Sequence, residues 1–132
     1  MAPPFTYRDL DLWKSGMTLV EQCYRNTASF PQSELYGLTS QLRRAAVSIP
    51  ANVAEGHCRG TTKAYVNHIN IARGSHGGLE TCIELANRLG FLAADDRKRL
   101  LALSDSVGRL LTGLSRSLAR KLAQRRAPAP NP

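Results

Sequence analysis

Between Leu38 and Gly56 the apolar residues Leu38, Leu42, Ala45, Ile49 and Val53 recur every three or four positions. That spacing puts side chains on one face of a helix with 3.6 residues per turn. Arg44, Ser48, Asn52, Glu55 and Arg59 keep the same rhythm on a neighbouring face, so a structural polar network is expected beside the core-facing line. Pro50 falls inside the pattern. It has no N–H for the carbonyl four residues back and crowds that turn, which costs about 3 kcal/mol in an ordinary helix interior. Because the apolar spacing stays in phase up to Val53, the pattern predicts one helix kinked at Pro50, not two helices joined by a loop. Thr39 is its candidate cap and Gly56 its candidate stop.

Three more segments carry the same period. The first runs from about Asp9 to Ala28, with Trp13, Met17, Val20 and Tyr24 inward, Leu12, Leu19 and Cys23 widening the apolar face, and Asp9 and Asp11 at the positive end of the helix dipole. Phe30 and Pro31 end it, and the connection to Gly37 has room for a helical turn at Ser33 to Tyr36. A second begins at a Thr61 or Thr62 cap and stops at Gly90, with Tyr65, Ile69, Ala72, His76, Leu79, Ile83 and Ala86 inward. Its middle, Gly74 to Gly78, is weak helix, since each interior glycine costs about 0.8–1 kcal/mol against alanine. A close approach of another helix is the simplest compensation. The last segment, about Asp95 to Leu122, turns Leu100, Leu103, Val107, Leu110, Leu111, Leu114 and Leu118 inward, with Lys98, Arg109, Arg116 and Arg120 nearly opposite. The pattern therefore predicts an all-α, antiparallel up-and-down four-helix bundle over residues 9–123, after a lead-in at 1–8 and before a disordered basic, proline-rich tail at 124–132.

Composition narrows the class. With 132 residues, 42% hydrophobic and only 6% aromatic, the chain suits one helical domain. No apolar run has the length of a membrane span and no leader-like segment opens the chain, so a cytoplasmic protein with no membrane partner is expected. Cys23, Cys58 and Cys82 are odd in number and lack CxxC spacing, which argues against a disulfide framework or a zinc knuckle. The net charge of +8 is unevenly placed: residues 1–96 hold nine Lys or Arg against nine Asp or Glu, and residues 97–132 hold nine against Asp105 alone. Such asymmetry points to an anionic partner, nucleic acid before membrane.

Little in the chain reads as catalytic. His57 beside Cys58 lacks an orienting third group. His57, His68 and His76 have no ligand spacing with the cysteines, so neither a metal nor a cofactor is expected. His76 reads as a hydrogen-bonded histidine at a helix interface, and Glu80 and Glu84 as partners of nearby arginines. The candidate nucleic-acid-binding residues are Arg43, Arg44, Arg59, Lys63, Arg116, Arg120, Lys121, Arg125 and Arg126, which can neutralise phosphates without reading bases.

The stretch QLRRAAVSIPANVAEG, with FPQSELYGL before it and ARGS and LET after it, resembles the small bacterial four-helix-bundle family called 23S ribosomal RNA intervening-sequence proteins. The likeness runs from about Tyr7 to about Leu122. It implies an up-and-down bundle that assembles as a homopentamer, associates with nucleic acid, has no catalytic residue, and is similar in shape to accessory proteins of diversity-generating retroelements. His76 and Gly78 depart from the family pattern, which usually has a leucine and a nearby carboxylate there. Two functions follow as expectations. One is a non-enzymatic, oligomeric RNA- or DNA-binding accessory protein. The other is a protein-interaction scaffold recruiting an acidic partner such as a reverse transcriptase or another nucleic-acid-processing enzyme.

Overall fold

Thr6 caps the first turn: its Oγ1 accepts from the Arg8 N–H at 3.2 Å, and the Asp9 carboxylate accepts from the Thr6 N–H at 2.8 Å. A 3-10 turn, Tyr7–Asp9, follows. The structure is a computed structural model that describes residues 5–126, so residues 1–4 of the expected lead-in and 127–132 of the expected tail lie outside it. Four α-helices make up the body, α1 at Asp11–Thr27, α2 at Leu38–Cys58, α3 at Thr62–Arg88 and α4 at Ala94–Arg126. No strand occurs among the described residues.

Contacts between successive helices fix their directions. Gly16 of α1 lies against Pro50 of α2, while Thr27 meets Arg43. Asn52 of α2 meets His68 of α3, while Ser48 meets Ser75. His76 of α3 meets Ser104 of α4, while Glu84 meets Arg97. Residue numbers rise on one helix as they fall on the next, so neighbours run in opposite directions around a four-helix bundle. The core is a column of fully enclosed aliphatics, Leu19, Leu42, Ile49, Val53, Ile69, Leu79, Ile83, Val107 and Leu111 among them.

Several local expectations need correction. Helix α1 buries Leu12, Gly16, Leu19 and Cys23. The stripe of Trp13, Met17, Val20 and Tyr24 lies to one side, with Met17 and Tyr24 exposed. The reason is Gly16, whose missing side chain lets α1 settle on the buried ring of Pro50; a Cβ there would sit 3.3 Å from Pro50 Cβ. Helix α2 is continuous through Pro50. Thr39 is not its cap: Gly37 holds that position, and Glu34 Oε2 accepts from the Leu38 N–H at 3.0 Å. Nor does Gly56 end α2, which continues to Cys58 before Gly60 reverses the chain at φ 83°. Gly56 is a packing glycine, since a Cβ there would meet His68 Cβ at 2.7 Å.

Helix α3 matches its expected ends, with Thr61 Oγ1 accepting from the Ala64 N–H and Gly90 at φ 80°. Its glycines do not. An added Cβ at Gly74, Gly77 or Gly78 would meet nothing within 4 Å, so no close approach occurs there within the subunit. The opposite face, where Ala72, Leu79, Cys82 and Ile83 are buried, holds this stretch helical. In α4 Leu110 is 37% exposed, and Ser104 is fully buried instead. That helix also passes Leu122 and reaches Arg126, so Gln124, Arg125 and Arg126 are helical and not part of a tail. Alanine, leucine, lysine, glutamine and arginine favour helix strongly, and nothing opposes them before Pro128.

Candidate nucleic-acid interface

Antiparallel packing carries the N-terminal turn, the α2–α3 loop and the last turns of α4 to one end of the bundle. Phe5, Leu10, Gly60, Thr61, Thr62, Ser117 and Lys121 line a single hollow there, of about 350 Å³. Arg59 and Lys63 are thereby brought to the same end as Arg120, Lys121 and Arg125, and all five are exposed. Arg59 pairs with Glu55 at 3.1 Å, an exposed i, i+4 bridge of small energetic weight. Lys63, Arg116, Arg120, Lys121 and Arg125 form no ion pair among the described residues. Arg126 belongs to α4, and its side chain lies outside the described set.

Arg43 and Arg44 sit near the opposite end. Arg43 is committed to packing: Nε donates to Thr27 Oγ1 at 2.8 Å and the guanidinium lies 4.5 Å from the centre of the Tyr24 ring. It ties the end of α1 to the start of α2. Arg44 is exposed and makes no hydrogen bond among the described residues.

The polar line on α2 faces α3. Asn52 Nδ2 donates to the Ser48 carbonyl at 2.8 Å and to Ser48 Oγ at 3.0 Å, which turns Oδ1 toward His68. His68 Nδ1 then donates to that oxygen at 2.9 Å, and Ser75 Oγ donates to Ser48 Oγ at 2.8 Å. Glu55 stands at its edge, 4.0 Å from His68. Ser48 and Asn52 are thus joined in a network with His68 and Ser75, whereas Glu55 is bonded to Arg59, and among the described residues neither it nor Arg44 hydrogen-bonds into the network. The missing partner is His68, sixteen residues on from Asn52.

A second polar node, unanticipated in detail, joins α3 to α4. His76 Nε2 lies 2.8 Å from the Ser104 carbonyl oxygen and 2.9 Å from Ser104 Oγ, and Ser104 Oγ donates to Glu80 Oε2 at 2.9 Å. A carbonyl can only accept, so Nε2 carries the proton. Gly108 makes room for the ring, because a Cβ there would lie 2.7 Å from His76 Cε1. Above this node an open groove of about 540 Å³ is lined by Arg73, His76, Asp105, Gly108, Arg109 and Arg116. Of its cations only Arg116 was nominated from the sequence. Arg73 and Arg109 were visible as charges, but their convergence depends on how α3 and α4 align.

The thiols divide by burial. Cys23 and Cys82 are buried and Cys58 is exposed. Burial pushes the Cys23 thiol up to about 12 and raises Cys82 as well. His57 does not serve Cys58: its ring packs on Phe5 and Tyr65, with centroids 5.9 and 5.8 Å away. Tyr65 Oη is buried without a partner among the described residues, and burial raises that phenol too. No helix among the described residues is long and apolar enough to cross a membrane.

The pattern of the family described as 23S rRNA-intervening sequence protein matches residues 8–113, so the basic segment from Arg116 onward lies beyond the matched stretch. None of the curated proteins matches. Among solved structures, the chain is similar to the crystal structure of a protein of unknown function from the S23 ribosomal protein family of Bacteroides thetaiotaomicron. The two are 18% identical with a TM-score of 0.71, over 79% of this chain and 97% of that one. At that identity the likeness speaks for the fold alone.

Proposed function

The chain belongs to the family of 23S rRNA-intervening sequence proteins, and on that premise we propose that it is a cytoplasmic, non-enzymatic accessory protein that binds RNA or DNA. The reading rests on one observation: Arg59, Lys63, Arg120, Lys121 and Arg125 share one end of the bundle. Cations so placed neutralise phosphates with little dependence on sequence, and each phosphate contact adds to the salt dependence of binding. The non-enzymatic part of the reading is supported by the structural partners that three of the nominated groups have. His57 packs edge-on against Tyr65 and tilted against Phe5, Glu84 holds Arg97, and Glu80 accepts from Ser104.

The test is a salt titration of binding to several unrelated single-stranded RNAs and DNAs. Affinity is expected to fall alike for all of them. Substituting Arg120, Lys121 and Arg125 together by glutamine should flatten the log–log salt slope by about 2, at roughly 0.7 per lost contact on a single strand. Unchanged affinity and slope would refute this surface. Binding confined to an acidic protein in the same buffer would favour the scaffold reading instead.

The same proposal includes self-assembly, with five copies as the family resemblance implies. It is supported by the outward face of α3 and its cap, where Ile71, Leu85 and the following Leu89 are exposed around the bare Gly74, Gly77 and Gly78. Assembly would repeat the +8 of each subunit on one body and strengthen its field. Light scattering that finds a monomer at micromolar concentration would remove this part.

A further inference from the structure

The groove between α3 and α4 gathers three arginines around a single histidine. Arg109 and Arg116 stand two turns apart on α4, and Arg73 reaches across from α3, steadied by an Nη1 to Ser115 Oγ bond of 3.3 Å. Asp105 is the one carboxylate in the lining and lies 3.9 Å from Arg109. Three guanidiniums against one carboxylate leave two positive charges facing an open space of about 540 Å³, a volume typical of small-ligand sites. The floor is His76, seated over Gly108 and held at Nε2 by Ser104, which itself donates to Glu80. With Nε2–H committed to Ser104, Nδ1 is left without a partner among the described residues. The imidazole is therefore oriented by its neighbours and shapes the floor; with the proton on Nε2 its Nδ1 can only accept, so the donors of the groove are the guanidiniums.

We propose that this groove is a discrete binding site for a phosphate monoester, either the terminal phosphate of a nucleic-acid strand or the phosphate of a free nucleotide. The charge match favours a monoester, which carries about −1.5 to −2 near neutral pH, over an internal diester with a single negative charge. Planar guanidiniums suit such a group because each can give two parallel hydrogen bonds to its oxygens. The strand-end form rests on the nucleic-acid reading above, with the basic end of the bundle following the backbone. The groove itself does not depend on that reading. Arg116 lies between the two surfaces, one turn from Arg120.

The experiment uses the full chain and two matched pairs of probes: one oligonucleotide with a 5′-phosphate or a 5′-hydroxyl, and AMP against adenosine. The phosphorylated oligonucleotide should bind about tenfold tighter than its hydroxyl twin, the size of effect one or two charge-assisted hydrogen bonds provide. Arg73→Gln with Arg109→Gln, both at exposed positions and so safe for folding, should bring that ratio to about one. Glutamine at Arg120, Lys121 and Arg125 should weaken both oligonucleotides and leave the ratio intact. If oligonucleotides fail to bind but AMP binds over adenosine and loses this preference in the Arg73 and Arg109 variant, the groove stands as a nucleotide site and the nucleic-acid reading falls. A phosphate preference missing from both pairs, or one that survives the loss of Arg73 and Arg109, overturns the proposal.

Discussion

Replacing Gly56 by alanine adds one methyl group at a close contact between α2 and α3. In an open helix interior that change is favourable by roughly 1 kcal/mol, because alanine loses less backbone freedom on folding. At Gly56 the new Cβ would fall 2.7 Å from His68 Cβ and 2.9 Å from Tyr65 Cδ1. His68 cannot swing aside cheaply, since its Cβ is fixed to the backbone and its ring is tied to Asn52 at 2.9 Å. Relieving the overlap means moving one helix relative to the other, and overpacking of this kind costs about 1–3 kcal/mol. The overlap is severe enough to place the expected net effect at about 1–2 kcal/mol of destabilisation. Gly78→Ala is the matched control, because its new Cβ meets nothing within 4 Å. It should gain about 0.8–1 kcal/mol. At roughly 4 °C per kcal/mol for a domain of this size, the two variants should melt about 7–12 °C apart by circular dichroism at equal, dilute protein concentration. A Gly56→Ala protein melting at or above the parent would refute the packing role. If Gly78 also lies between copies, its alanine variant should fold more stably yet assemble less by light scattering.

Other consequences are simpler to check. Arg43→Ala removes the bond to Thr27 and the stacking on Tyr24, so it should cost about 1–2 kcal/mol in urea melts while leaving nucleic-acid affinity unchanged. Glu34→Ala takes away the acceptor at the start of α2 and should destabilise by about 1 kcal/mol, with early exchange of the Leu38 amide as the local sign. In the native protein one thiol, Cys58, should react promptly with a disulfide reagent, with Cys23 and Cys82 following only on unfolding. Cys23 also sets a sign for pH dependence: its folded value is raised from 9.0 to about 12. The unfolded thiol therefore loses its proton first, and the contribution of Cys23 is complete below pH 9 and lost as pH rises toward 12. A stability profile above pH 9 should be shallower in Cys23→Ala than in the parent.

Periodicity exposed the bundle well, because four long segments each repeat an apolar face and Thr61 and Gly90 mark ends by simple capping chemistry. It misjudged the face of α1 because two apolar stripes lie side by side there. Trp13 and Tyr24 outweigh Gly16 in hydrophobicity, yet Gly16 decides the contact by admitting Pro50. Glycines were the least legible residues. Gly56 looked like a stop and is a close contact, whereas Gly74 to Gly78 looked like a close contact and stand open. Spacing along one helix carries no information about the neighbour opposite. The same limit applied to charge. Arg43, Arg44, Lys63 and Arg120 look alike in a sequence, and only the alignment of helices ties the first to Tyr24 and gathers the last two at one end. Arg73 and Arg109 share a groove for the same reason.

The unequal lengths of the helices have a further consequence. Helix α4 has 33 residues against 17 in α1, and Leu118 is the last buried one among those whose side chains are described. From Leu118 to Arg125 the axis advances about 10 Å at 1.5 Å per residue. That distance is about one screening length at an ionic strength of 0.1 M. Arg125 thus stands about one screening length along the axis from the last buried turn, while Lys121, nearer the body, still borders the hollow shared with Leu10 and Gly60. Because the segment is already helical to Arg126, a polyanion bound there as proposed would meet cations that need no ordering of the backbone.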